Sequence, residues 1–403
     1  MRFLRVFALF CGLTMLIAGC ASGPAELGKA EETLTAKIAE DAGYREYALS
    51  IIGDSTAAYA SAARVDAIQN GGRKGALSAI PMLDLSNEAE RAALMQAYEG
   101  RGSVKLQAAT RLAAEGDSAA IEWLAGQMGQ GGTVLPATAM NVLAGTEHEE
   151  DVKIAARGLI WSKDLSIRNE GYTILGQIEK PWAVDQLLEG LGKEFGEERV
   201  VPIVSLGQRG DSRAVEPIAK WVKTQGLVRA SLESLAQLGD ASVLDRVTPM
   251  LEHEEPIVRA YAAAAAWRLG DGESAKSVYA TLVEDEAVEV RQQAAIELAN
   301  IEADEATAWL VALSEDAEPA VRVDAMRGLL TRADKVGAEV FRKGAADDNY
   351  EVATLAMAGL ANTGTAEDAA GLAAQLEDPN PYTAISAAHA IQEIHARLGA
   401  GSH

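Results

Sequence analysis

Small and apolar residues recur at helical spacing along most of the chain. Val290, Ala294 and Leu298 stand at i, i+4 and i+8, which places them on one helix face. The same pattern, opened by Val-Arg and closed by an acid, fills Val258 to Asp271 and Val321 to Asp334, with copies at Val104 to Asp117 and, shifted, at Leu227 to Asp240. A worn copy runs from Tyr44 to Asp54. Between copies lies a second helix, such as Ser274 to Val283, whose Val278 and Leu282 face inward. Gly270-Asp271-Gly272 marks the joint: glycine takes the tight conformation that ends one helix, and aspartate offers an oxygen to the first free amides of the next.

The unit ends form a ladder at Asp54, Asp84, Asp117, Glu147, Glu179, Asp211, Asp240, Asp271, Asp304, Asp334 and Thr365, with steps of 29 to 33 residues. Such a period is filled by two helices and two turns and leaves no room for a strand crossover. The prediction is all-α: an alpha-alpha superhelix of about 11–12 units running without a linker through residues 31–399. Pro81, Pro136, Pro202, Pro217, Pro249, Pro256, Pro319, Pro379 and Pro381 fall mainly at turns or first turns, where the missing donor costs least. The register is irregular from Glu147 to Trp182, where Val152-Lys153 and Ile167-Arg168 both read as inner-helix starts. Stacked helix layers about 10 Å apart predict a curved body on the order of 100 Å long, with a concave face lined by inner helices.

Composition agrees with close helix stacking, because hydrophobic residues make up 48% of the chain but aromatic ones only 5%. Asp and Glu outnumber Lys and Arg by 59 to 36, a formal charge of −23. That balance opposes nucleic-acid binding and favours a partner with a basic surface, or cations.

The first residues stand apart from the repeats. Arg2 and Arg5 precede an apolar run from Val6 to Ile17, which ends in Ile17-Ala18-Gly19-Cys20. The run is short for a membrane span and has the form of an export signal. It resembles a bacterial lipoprotein signal, and the resemblance implies residues 1–19 as signal peptide and cleavage before Cys20. It further implies a diacylglyceryl thioether on that cysteine and an acylated (palmitate-type) amino terminus. Ala21 and Ser22 lack the Asp-type retention signal, which by the same resemblance implies the outer membrane, with the domain facing the periplasm or exposed at the surface. Residues 20–30 are then the lipidated end and a short polar tether. Removal of Cys11 with the signal leaves Cys20 as the sole cysteine, so stability must come from packing rather than a disulfide.

The motif Val-Arg-x-x-Ala-Ala-x-x-Leu, preceded by an acid and closed by Asp, is carried by Glu255-Val258-Arg259-Ala262-Ala263-Ala266-Asp271, Val290-Arg291-Ala294-Ala295-Leu298-Asp304 and Val321-Arg322-Ala325-Met326-Leu329-Asp334. It resembles short HEAT repeats of the phycobilisome-lyase type, strongly over 198–399 and moderately over 75–145. Related proteins attach bilins or hydroxylate substrates at iron. The paired His-Glu motifs of the iron-binding members are missing here, and an exported lipoprotein is an awkward place for pigment attachment. The resemblance therefore implies a fold far more than an activity.

Catalytic signatures are thin. Among His148, His253, His389, His395 and His403 no His-Glu-x-x-His pair occurs, and neither Gly-x-Ser-x-Gly nor a Gly-Lys-Ser/Thr phosphate loop is present. No enzyme, cofactor or metal is expected on these grounds, and His253 reads as an exposed turn. Arg259, Arg291 and Arg322 are expected to bond the unit-closing Asp240, Asp271, Asp304 and Asp334 in a ladder between neighbours. Trp123, Trp182, Trp221 and Trp309 read as wedges between units. Trp267, Arg268, Arg327 and Leu330 are the candidate partner-binding residues, since tryptophan and arginine anchor interfaces. The leading function is a membrane-anchored protein-interaction scaffold or accessory factor of a cell-envelope complex. The alternative is an enzyme or a small-ligand or metal-binding HEAT-like protein whose carboxylate site has no sequence signature.

Overall fold

A computed structural model describes residues 25–52, 58–128 and 134–400. Cys20, Asp54 and the glycines 129–132 lie outside them. Among the described residues every regular element is an α or 3-10 helix. None of those helices is long and apolar enough to cross a membrane. The fold is the all-α helical-repeat class that the periodicity predicts. It divides into two compact units, residues 61–332 and residues 1–60 with 333–403.

In the larger unit one helix row carries the Val-Arg motif. Leu165–Gln177, Val200–Arg209, Val228–Leu238, Pro256–Arg268, Val288–Leu298 and Pro319–Leu330 pack successively side by side. Small residues permit this approach. A Cβ on Gly207 would lie 2.6 Å from the Cβ of Ser234, and one on Gly176 would lie 3.0 Å from that of Ser205. The alanine-rich composition thus becomes short interhelix contact rather than a wide aromatic core.

The joints follow the Gly-Asp reading. Gly210 and Gly239 both end inner helices at φ +67, a left-handed conformation that costs glycine little. Asp211, Asp240 and Asp271 then accept from Arg213 N, Ser242 N and Ser274 N, capping the next helical element. Outer elements are less regular than the predicted ten to fourteen residues. Around Pro217 and Pro249 they shrink to short α pieces joined to 3-10 turns, because each proline removes a backbone donor. In the irregular stretch both Glu149–Ile160 and Leu165–Gln177 are full helices. Arg168 settles the register, since it bonds the preceding turn as the other motif arginines do.

In the smaller unit helix Ala25–Glu40 is formed before residue 30, and Ala30 is fully buried. This helix packs along Pro381–Ala400. Gln392 donates to Leu27 O at 3.3 Å, and the Tyr47 and Ser386 hydroxyls are 2.7 Å apart. Leu34, Leu49, Ile385, Ile391 and Ile394 are buried in this unit. A terminal repeat has a neighbour on one side only, so its other apolar face needs a cover, and here the two terminal segments cover each other.

Candidate functional site

The arginine row sets the frame of the surface. Arg291 donates through Nη1 to the carbonyls of Asp285 and Glu286, at 2.8 and 3.2 Å. Arg259 and Arg322 make the same pair of bonds one unit back and one unit on. Arg291 also grips Asp316 through Nε and Nη2, and Arg168 grips Glu194 in the same way. Arg64 and Glu90 repeat the fork, with both side chains 1% exposed. The ladder therefore exists with different acids. Asp240 and Asp271 are occupied as helix caps, and Asp304 stands inside the first turn of its own helix.

The acids of this ladder are held ionised. Burial raises the Glu194 carboxyl, but hydrogen bonds from Tyr172 and Arg168 outweigh it and bring the pKa to about 2. Tyr172 itself is fully buried and pushed well above its ordinary value by burial and by Glu194. Arg332 fills a related structural role. It is buried and donates to the carbonyls of Leu298, Ala299 and Ile301, placing a cation at a helix C-terminus.

Three successive row helices build a polar cluster with an exposed rim. Arg229 lies 5.0 Å over the buried Tyr261 ring and donates to Glu233 at 3.1 Å. Across from them Glu297 is 9% exposed and accepts from Gln293 at 2.8 Å. Burial, then the charge of Glu233, push its pKa up to about 7, against the pull of Gln293, Arg268 and Arg229. Arg229 and Arg268, which act on this acid through their charge, are exposed, and so is Ile296, the residue before it; Arg268 is also bonded to Asn300 O at 3.0 Å. Such a surface offers two guanidinium groups beside a carboxyl whose pKa is raised to about 7, with an exposed aliphatic side chain next to it in sequence.

Of the predicted partner-binding residues, Arg268 belongs to this rim. Trp267, half-buried, turns instead toward Tyr279 and Trp309, with centroids 6.4 and 6.5 Å away. Arg327 is exposed and paired with Asp324 at 2.8 Å, while Leu330 is half-buried. The helix Val288–Leu298 lies between the pair Trp267/Arg268 and the pair Arg327/Leu330, so the four do not form one cluster. Trp123 stacks edge-on with Tyr98, Trp182 bonds Glu149, and Trp221 lies under Arg199. Arg229, Glu233, Gln293 and Glu297 had no motif to announce them. The one available signal is the carboxylate of Glu297, three positions beyond the core residue Ala294 and next to Leu298.

Residues 244–316 match the family model for HEAT repeats, and the chain carries such repeats there. The complex of CpcE and CpcF of phycocyanin lyase from Nostoc sp. PCC7120 is similar at 18% identity and a TM-score of 0.42, over 60% of this chain and 94% of that one. Human deoxyhypusine hydroxylase in complex with glycerol is similar at 16% identity and a TM-score of 0.31, over 63% of this chain and 99% of that one. These are resemblances of architecture and carry no activity across. No match was found among curated proteins.

Proposed function

We propose that the chain is a lipid-anchored scaffold or accessory factor of a cell-envelope complex, and that it holds a protein partner against its row of motif helices. The observation carrying this reading is the rim of Arg229, Arg268 and Ile296, exposed on three adjacent helices in a row otherwise packed with small residues. Repeat stacking presents such a row as one continuous surface, which suits an extended protein contact better than an enclosed small-molecule site. At long range the charge of −23 attracts a basic partner surface, while at contact the arginines select carboxylates or carbonyls. No catalytic role is assigned. The signal-like segment ending at Cys20 supports anchoring in the outer membrane, facing the periplasm.

In-cell crosslinking followed by capture from native membranes tests the proposal, comparing wild type with Cys20→Ser. A single recurrent envelope protein, lost or strongly reduced with the variant, is the expected result. Efficient crosslinking of intact protein with no stoichiometric partner contradicts the scaffold and moves the weight to a ligand-binding or enzymatic role.

A further inference from the structure

Away from the motif row, helix Ser118–Met128 and the turn before helix Glu149–Ile160 bring metal-ligating side chains together. Glu122 projects from the first, and Glu147 and His148 come from the second. One ligand atom from each of the three lies within 4.8 Å of the others. His148 Nε2 is 3.7 Å from Glu122 Oε1, while Nδ1 is 3.6 Å from Asp151 Oδ2. Nε2 is sealed from solvent and makes no hydrogen bond, which leaves its lone pair or its proton unused. Among the described residues neither Glu122 nor Glu147 has a lysine or arginine partner. By contrast, the neighbouring Glu149 and Glu150 are paired with Lys180 and Lys153.

The backbone that presents these groups is fixed. Thr146 Oγ1 donates to Leu143 O at 2.7 Å and accepts from His148 N at 3.2 Å, and the His148 carbonyl accepts from Val152 N. These bonds fix the main chain from which His148 projects, and Glu122 and Glu147 are exposed, with room to close by rotating. His253 differs: its Nδ1 accepts from Glu255 N at 3.1 Å, so the ring serves its own turn.

We propose that Glu122, Glu147 and His148 form a binding site for a divalent transition-metal ion of the zinc class. One imidazole nitrogen with two carboxylates is a donor set for such ions, and the nitrogen argues against calcium, which takes oxygens. Ligands sharing a tetrahedral zinc ion stand roughly 3.4 Å apart, so the separation of Nε2 from Glu122 needs only a few tenths of an ångström of closure. Asp151, with Oδ2 3.6 Å from Nδ1, makes no hydrogen bond there as it stands, and a small rotation on metal binding would let it accept the Nδ1 proton and favour the tautomer that leaves Nε2 to coordinate. The positive end of helix Glu149–Ile160 opposes a cation, and the uncompensated carboxylates of Glu122, Glu147 and Asp151 outweigh it. A bound ion would tie Ser118–Met128 to the start of Glu149–Ile160.

Calorimetric titration with zinc chloride tests the site, using the full chain purified in detergent and stripped by a chelator. Wild type should bind one more equivalent of zinc than either His148→Ala or Glu122→Gln, keep it in excess calcium, and melt at a higher temperature when loaded. Asp151→Asn should weaken binding by about 10- to 100-fold. Glu122 is 67% exposed, so Glu122→Gln remains informative even if His148→Ala misfolds. Circular dichroism establishes that each variant is folded. The site is overturned if wild type takes up no zinc, if a folded Glu122→Gln takes up as much as wild type, or if calcium displaces the metal.

Discussion

Arg291 and Asp316, separated by 25 residues, face each other as a two-pronged pair, Nε to Oδ2 at 2.8 Å and Nη2 to Oδ1 at 2.9 Å. Arg291 thereby ties its own preceding turn to the turn of the next repeat. Its side chain is 14% exposed and that of Asp316 is 11%, so the pair is well shielded from solvent. The hydrogen bonds of Arg291 hold Asp316 below its ordinary value, against the opposing effect of burial.

Arg291→Ala leaves Asp316 without its counter-ion and two carbonyls without donors, and should destabilise the fold by roughly 2–3 kcal/mol. Arg213→Ala removes contacts to Asp185 and Asp211 from an arginine that is 44% exposed, and should destabilise far less than Arg291→Ala. Urea melts of both variants check the contrast. Stability from the Arg291 pair is fully present above Asp316's ordinary value of 3.8 and is lost as pH falls through its lower folded value. An Arg291→Ala melting transition that matches wild type would remove the pair from the account.

Two glycine substitutions should have opposite signs. Gly239 sits at φ +67 between an inner helix and its capping Asp240, and Gly239→Ala should cost about 1–2 kcal/mol. Gly158 lies exposed inside helix Glu149–Ile160 with no atom within 4 Å of an added Cβ. Gly158→Ala should therefore stabilise by about 0.5–1 kcal/mol. Thermal melts that shift in the same direction for both would contradict the assigned joint.

Glu297 gives the fold a pH dependence of the opposite sense to Asp316. Its folded pKa of about 7 lies above the ordinary 4.5, so its contribution is fully present below 4.5 and is lost as pH rises through 7. Replacing it with a neutral isostere removes that loss. Glu297→Gln should be more stable than wild type at pH 8, by on the order of 2–3 kcal/mol, and close to it at pH 4. Equal differences at the two pH values would show that Glu297 does not titrate in this window.

Helix pairing, the Gly-Asp joints and the Val-Arg helix starts could be read from the chain because they repeat within single helices and turns. Partner choice across repeats could not. Asp271 and Asp316 are both acids near turns; Asp271 caps its own following helix three residues on, and only the packing of successive repeats sets Asp316 against Arg291. The meeting of Leu27 with Gln392, and of Glu122 with His148, depends on contacts distant in sequence that no periodicity encodes. Glu297 was hidden for a related reason. An acid beside core positions reads as a surface residue until Tyr261 and Glu233, on neighbouring helices, are seen to enclose it. Trp267 reads as an interface anchor from its residue type alone, yet Tyr279 and Trp309 draw it into an aromatic cluster.

Position-resolved photo-crosslinking in cells tests the scaffold most directly. A photoreactive residue would be placed in turn at Arg229, Arg268 and Ile296 on the motif row, and at the exposed Lys220 and Glu273 on the outer side. One envelope protein that crosslinks from the three row positions, not from the two outer ones, and only when Cys20 is intact is the predicted result. Crosslinks equally strong from both sides, or none from the row in a folded and anchored protein, would contradict it.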